Sequence, residues 1–232
     1  MKISALVLWM PLWMPCCAMA STTCPPYVKH DPGGDYTNAQ DRSGLTVVEQ
    51  FHFNQGVEKL VKGMTGSLGN DISYTLEHFP NHHRALSAMA RLGLRDKSVQ
   101  PVGARYTINC YFERAIAYVP ADATARSVFG SYLLATGQQD AALEQLREAG
   151  RLAPEQASTQ YNLGLMYMKK KDYAQALVYA HKAYALGFPL PGLKNQLKKA
   201  GQWQEPLQTP LQAPPAQPAT EAAPEIPDGQ AD

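Results

Sequence analysis

Along most of this chain apolar residues recur at three- and four-residue spacing, the interval at which one face of an α-helix comes back to the same side. The clearest stretch runs from Tyr161 to Pro189 and reads YNLGLMYMKKKDYAQALVYAHKAYALGFP, two short helical patterns that meet at Lys171-Asp172. The first sets Leu163, Gly164 and Tyr167 on one face, and the second sets Ala176, Leu177, Ala180 and Ala183 on another. Small residues at Gly164, Ala176 and Ala183 let two helix backbones approach closely. A hairpin of this kind leaves an apolar stripe uncovered, so the pattern predicts partner hairpins stacked against it.

Upstream the same period continues, less regularly. Ile108, Phe112, Ala115 and Ile116 lie at core spacing before Pro120, and Ala85, Leu86, Met89, Ala90 and Leu92 follow Asn81, which reads as a helix cap. Residues 95–105 form a polar connection between these two patterns. Asn54 to Phe79 reads as a degenerate hairpin, with Asn54 as cap, Val57, Leu60 and Val61 on one face, and glycines loosening its middle. Residues 21–53 are read as an irregular segment, because Pro25-Pro26 and Asp31-Pro32-Gly33-Gly34 punctuate turns. Asp35-Tyr36-Thr37-Asn38 lacks the further carboxylates and central glycine of a calcium loop, and Asx-turns account for it better. Downstream, Pro191 to Trp203 reads as a last helix, with Leu193 and Leu197 turned inward and Lys194, Lys198 and Lys199 outward, a solvating cap. The fold class expected is all-α.

Two units repeat in register, 123–156 and 157–190. Gly130 and Gly164, Ala142 and Ala176, and Ala149 and Ala183 are each thirty-four residues apart. That period and those residue types resemble the tetratricopeptide repeat (TPR), which implies a solenoid of helical hairpins. The likeness departs at Arg126 and Gln160, where tryptophan is usual, at Lys171, where a turn glycine is usual, and at Phe188, with Pro189 one place late. Counting backwards, Ala115 and Pro120 fit the register of a preceding unit, and 54–79 fits a still more divergent one. The stretches Asp35–Asn38 with Asp41-Arg42, and Phe79-Pro80-Asn81-His82-His83-Arg84-Ala85-Leu86, further resemble a group of exported bacterial TPR proteins. That likeness implies a cell-envelope location and no known reaction.

In the TPR family the concave groove is lined by the first helix of each unit. The resemblance therefore implies a peptide groove of Thr124, Ser127, Ser131, Leu134 and Ala135 with Ser158, Tyr161, Leu165, Met168 and Lys169. This mixture suits an extended peptide or a helix better than a highly charged ligand. Asn162 occupies a position that joins a carboxylate clamp in some family members, but Val128, Tyr161 and Leu165 lack the accompanying groups. The expected role is an exported scaffold or adaptor for a protein or peptide partner.

Composition and charge narrow this picture. A formal net charge of +1 argues against nucleic acid as the main partner. Residues 1–20 have the form of a secretory signal peptide, with Lys2, an apolar run and Ala18-Met19-Ala20 before Ser21, which predicts cleavage after Ala20 and a periplasmic or secreted protein. No cysteine has the upstream residues of a lipoprotein signal. In an oxidising compartment Cys24 and Cys110 are expected to form a disulfide, the alternatives being free thiols or an intermolecular bond at Cys24. Residues 204–232, rich in Pro, Ala and Gln, carry five carboxylates and no basic residue, and read as a disordered tail. Lys169-Lys170-Lys171 is a basic run at a turn, with anionic lipid or the acidic tail as candidate contacts.

The rival functional reading is a metal or small-ligand module built on His52, His78, His82 and His83. His78 and His82 have helical ligand spacing, but Pro80 interrupts the helix they would need. No nucleophile elbow, Walker loop or HExxH sequence occurs, so no enzyme, resident metal or cofactor is expected.

Overall fold

The computed structural model describes residues 24–206. The expected leader, 1–20, and the tail beyond Pro206 lie outside the described residues. Among those described, every regular element is helical. In chain order they are a 3-10 turn at Ala39–Arg42, then α1 (Leu45–His52), α2 (Gln55–Glu58), α3 (Leu68–His78), α4 (His83–Asp96), α5 (Ile108–Tyr118), α6 (Ala123–Ala135), α7 (Gln139–Leu152), α8 (Ala157–Lys169), α9 (Tyr173–Ala185) and α10 (Gly192–Lys199).

The two regular units are the hairpins α6/α7 and α8/α9. Each second helix packs along its first, and the small residues do what their size permits. A β-carbon at Gly130 would stand 2.6 Å from Leu146 Cγ, and one at Gly164 would stand 2.4 Å from Leu193 Cδ2. Ala142, Ala149, Ala176 and Ala183 are wholly buried beneath these contacts. Before them α4/α5 forms a third unit, with Ile108, Phe112 and Ala115 in the core and a long connection over 97–107. Phe112 stacks on Phe129 of α6 at 4.7 Å, which carries the core from one unit into the next.

Three boundaries differ from those the pattern predicts. Asn54 does cap a helix, accepting from the N–H groups of Gly56 and Val57, but α2 spans four residues, and two residues past its end Leu60 lies in the left-handed region (φ 58°). The longer helix packed on α3 is α1, eight residues inside the segment read as irregular. Its signal is weak because it buries Val48 and leaves Val47 and Phe51 more than half exposed. The cap of α4 is His82 rather than Asn81: His82 Nδ1 accepts from Ala85 N–H at 3.1 Å. The last helix is shorter than Pro191 to Trp203, stopping before Gly201 (φ 68°), after which Trp203 folds back beside α9. Leu193 and Leu197 are fully buried under it, each worth about 1.5–3 kcal/mol of burial.

Residues 24–44 run as a strap over the N-terminal half. Cys24 and Cys110 are joined, with Sγ–Sγ 2.02 Å and Cα–Cα 5.3 Å. The Tyr27 hydroxyl and the Gly34 N–H both donate to the His78 carbonyl, at 2.8 and 2.9 Å. Tyr27 also meets the Tyr118 ring edge-on at 4.6 Å. Asp35 makes an Asx-turn with Thr37 N–H. The strap thus satisfies the open end of α3 and lies against α5.

Two outcomes follow from this packing. Gly130→Val and Gly164→Val should each lower stability by about 1–3 kcal/mol through overpacking, read as a drop in urea midpoint with unchanged helical content. Replacing Cys24 and Cys110 together by Ser should cost up to about 4–5 kcal/mol, since the bridge closes a loop of sequence separation 86 in the unfolded chain. A double variant as stable as the parent would show that the strap is held without its bridge.

Candidate functional site

The first helices of successive units touch one another directly, α4 on α6, α6 on α8 and α8 on α10, whereas the second helices pack chiefly on their own and the following first helices. That asymmetry puts α4, α6, α8 and α10 on the inner side of the array and leaves gaps between second helices on the outer side. The residues expected to line a groove are therefore on the inner helices.

Within that face the structure sorts them into three kinds. Leu134, Leu165 and Met168 are half-buried and rest on the core with part of each side chain exposed. Two of the polar members are bonded between units, Asn162 Nδ2 donating to Ser127 Oγ at 3.3 Å and Gln156 Nε2 donating to Thr124 Oγ1 at 2.9 Å, while Ser131 Oγ donates within α6 to the Ser127 carbonyl. Ser127 is buried, while Ser158, Lys169 and Ala135 are exposed. Tyr161 stands apart. It is only 9% exposed, stacks on Phe188 at 4.2 Å, and has its hydroxyl against Gly192. Burial pushes its phenol pKa up, against a hydrogen bond from the Leu193 backbone. Tyr161 anchors the capping helix and presents little surface to a ligand.

The four histidines of the rival reading are all engaged by protein groups. His82 is buried, with Nδ1 capping α4 and Nε2 2.9 Å from Glu49 Oε1. Because Nδ1 accepts, Nε2 carries the proton. His83 Nε2 lies 2.8 Å from Asp122 Oδ2, His78 Nδ1 lies 2.6 Å from the Pro32 carbonyl, and His52 Nδ1 lies 3.2 Å from Asp71. His52 also stacks on Tyr74 at 3.7 Å. Among the described residues no group of three His, Cys, Asp or Glu side chains is placed to hold a metal ion.

Two buried carboxylates order this region. Burial pushes the Asp122 carboxyl up, but His83, the Ala125 N–H and Asn81 together hold it below the usual carboxylate value. At Asp71 burial is likewise outweighed, by the Thr65 hydroxyl and the N–H groups of Met64 and Thr65, with His52 adding to them.

Sequence reasoning missed two gaps on the outer side. One, of about 470 Å³, lies between α7 and α9 and is lined by Arg147, Arg151, Gln160, Tyr179 and Lys182 among others. The other, of about 770 Å³, lies beyond α9 between Tyr184, Phe188, Lys194 and Trp203. A Trp two residues past a helix stop, beside a run of prolines and aromatics, is the one signal that could have marked it.

No family model matches this chain, and no curated protein matches it. Among solved structures, one described as the functional characterization of Pseudomonas aeruginosa pilF is similar, with a TM-score of 0.51 and 20% sequence identity over 71% of this chain and 72% of that one. PilF is a TPR-containing protein, and at this identity the likeness bears on fold alone. The chain has a TPR-like fold, an all-helical solenoid among the described residues.

The His82 geometry has a pH consequence. Burial, opposed by the Glu49 hydrogen bond, holds its pKa below the ordinary 6.5. The unfolded chain therefore takes up a proton that the folded chain refuses, so this contribution is complete above pH 6.5 and is lost as pH falls below it. Asn accepts the same cap bond and does not titrate. His82→Asn should flatten the fall in urea midpoint between pH 7 and pH 5, and parallel curves for the two proteins would refute the assignment.

Proposed function

We propose that this protein is an exported scaffold that binds an extended or helical segment of a protein partner across the inner face of α6 and α8, within a cell-envelope assembly. The observation that carries this reading is the strip Leu134, Leu165 and Met168. These three apolar side chains sit half-exposed on adjoining first helices, flanked by Ser131, Asn162, Ser158 and Lys169. Apolar side chains spaced among hydroxyl and amide groups are what a peptide with spaced apolar anchors requires. Two strong cations or carboxylates facing each other would instead favour a charged small molecule, and the strip offers the one ammonium of Lys169.

Export is supported by the leader-like residues 1–20 and by the Cys24–Cys110 bridge, which an oxidising compartment maintains. No helix among the described residues is long and apolar enough to cross a membrane.

The test is capture of partners from intact cells by crosslinking, comparing the parent with Leu165→Glu plus Met168→Glu. Both substitutions place a good helix former at half-buried positions of α8, and unchanged helical content by circular dichroism should accompany them. Recovery of the specific partner should fall about tenfold or more, equivalent to about 1.4 kcal/mol. An unchanged partner set would remove the inner face as the binding surface. Tyr161→Ala is unsuitable for this purpose, because it would unseat α10. Amino-terminal sequencing of the purified protein should begin at Ser21, and an intact Met1 would overturn the export assignment.

A further inference from the structure

The described chain ends at Pro206, and it ends inside a groove. Tyr184, Phe188 and Trp203 with Pro189 and Pro191 form its apolar walls, while Lys182 and Lys194 stand against a single carboxylate, Glu205. Trp203 is held in place from several sides. Its indole N–H donates to Glu205 Oε1 at 2.9 Å, the Lys194 ammonium lies 4.7 Å from the ring centroid, and His181 meets the ring edge-on at 5.1 Å. The adjoining Gln204 carbonyl lies 2.9 Å from His181 Nε2. An aromatic wall with flanking prolines is the surface that recognises a polyproline-type segment.

This groove does not stop at its own rim. Lys182 and Ala185 line both it and the gap between α7 and α9. The second gap is more basic, with Arg147, Arg151 and Lys182 against Glu155, and Glu148 paired to Arg151 at its edge. A continuous track thus crosses the outer side of α9, aromatic where the chain leaves and cationic further on.

The residues that follow have the complementary chemistry in the same order. From Leu207 the chain first carries Pro210, Pro214, Pro215 and Pro218 with no charge, then Glu221, Glu225, Asp228 and Asp232 with Pro224 and Pro227 among them, and no Lys or Arg throughout. Reach is ample: a proline-rich chain rises about 3.1 Å per residue when extended, so a linker of fourteen residues can bridge up to about 40 Å. The thirteen residues of α9 cover about 20 Å. Attachment at Pro206 raises the effective concentration to the order of millimolar, at which individually weak contacts suffice.

We propose that the outer track over α9 is the docking site of the chain's own tail, Leu207–Asp232. The prolines seat over Tyr184, Phe188 and Trp203, and the acidic end lies against Lys182, Arg147 and Arg151. The cations concerned are not those of Lys169-Lys170-Lys171, which occupy the turn at the other end of α9, about 16 Å from Lys182 along the helix. Docking there covers the outer face and leaves the inner face of α6 and α8 open, so the two surfaces are separable by experiment.

The test uses the full chain with a benzophenone side chain in place of Ala222, irradiated and mapped by mass spectrometry. Crosslinks should fall within the same chain, on peptides covering 145–151 and 179–186, at a yield independent of protein concentration. Neutralising the tail by Glu221→Gln, Glu225→Gln, Asp228→Asn and Asp232→Asn should lower that yield about fivefold, the effect of losing weak exposed pairs with the three cations of the track. Lys182→Glu should lower it too, and adding Glu225→Lys should restore it. Crosslinks on α8, crosslinks between chains that grow with concentration, or a yield unmoved by the four neutralisations would each overturn the proposal.

Discussion

Helix backbones in this array come together where a side chain is missing, and that constraint sets its period. Gly130 accepts Leu146 from its own second helix, and Gly164 accepts Leu193 from the capping helix, at distances that leave no room for a β-carbon. The alanines beneath, Ala142 and Ala176 and then Ala149 and Ala183, keep the facing helices equally close. Because the same places are small in the two regular units, 123–156 and 157–190, each lets a neighbouring helix come close. Cohesion is then a sum of neighbouring contacts, and each open end has to be closed by something other than another repeat. At one end that is α10, with Leu193 and Leu197. At the other it is α1, α2 and the strap.

The junctions between units are held by a second kind of interaction, polar and buried. Asp122 caps α6 through the Ala125 N–H, accepts from Asn81 at 2.9 Å and pairs with His83. Asn81 in turn accepts from the Tyr36 N–H and donates to Asp35, so a single turn ties the strap to α4 and α6. A buried carboxylate is costly unless each of its oxygens is satisfied, and here several donors converge on one group. Such a cluster is worth little in pieces. Its members are near one another only when the strap, the α4/α5 unit and the α6/α7 unit are all in place, which couples the irregular end to the regular one.

What the sequence made legible follows from these two interactions. Close packing leaves a mark, because small residues in register recur at a fixed interval, and so the hairpins α6/α7 and α8/α9 could be read with their contacts. Polar convergence leaves none, since the partners of Asp122 come from residues 81 and 83 across a unit boundary. Asn81 looked like a cap because Asn commonly is one, yet its amide is taken by Tyr36 and Asp122 and His82 caps in its stead. Helix α1 was hidden by a mostly exposed face, and the end of α10 by Gly201, whose positive φ closes the helix before Trp203. On the inner face, Leu134, Leu165 and Met168 are where register puts them, whereas Tyr161 has its fifth place in the unit but not the exposure that place implies.

The displacement of Tyr161 bears on where a ligand would sit. In a longer array the place beyond α8 would hold the first helix of another unit, and the face of α8 would continue onto it. Here α10 fills that place with an eight-residue helix, and Phe188, Gly192 and Leu193 close over the tyrosine. The N-terminal half of α8 is thereby spent on cohesion. The apolar surface that remains is shifted toward α6 and the last turns of α8, where Leu134, Leu165 and Met168 meet beside the exposed Lys169. On the proposed reading, closing the array and binding a partner draw on the same helix, and the position of the cap decides how much of α8 is left for the second.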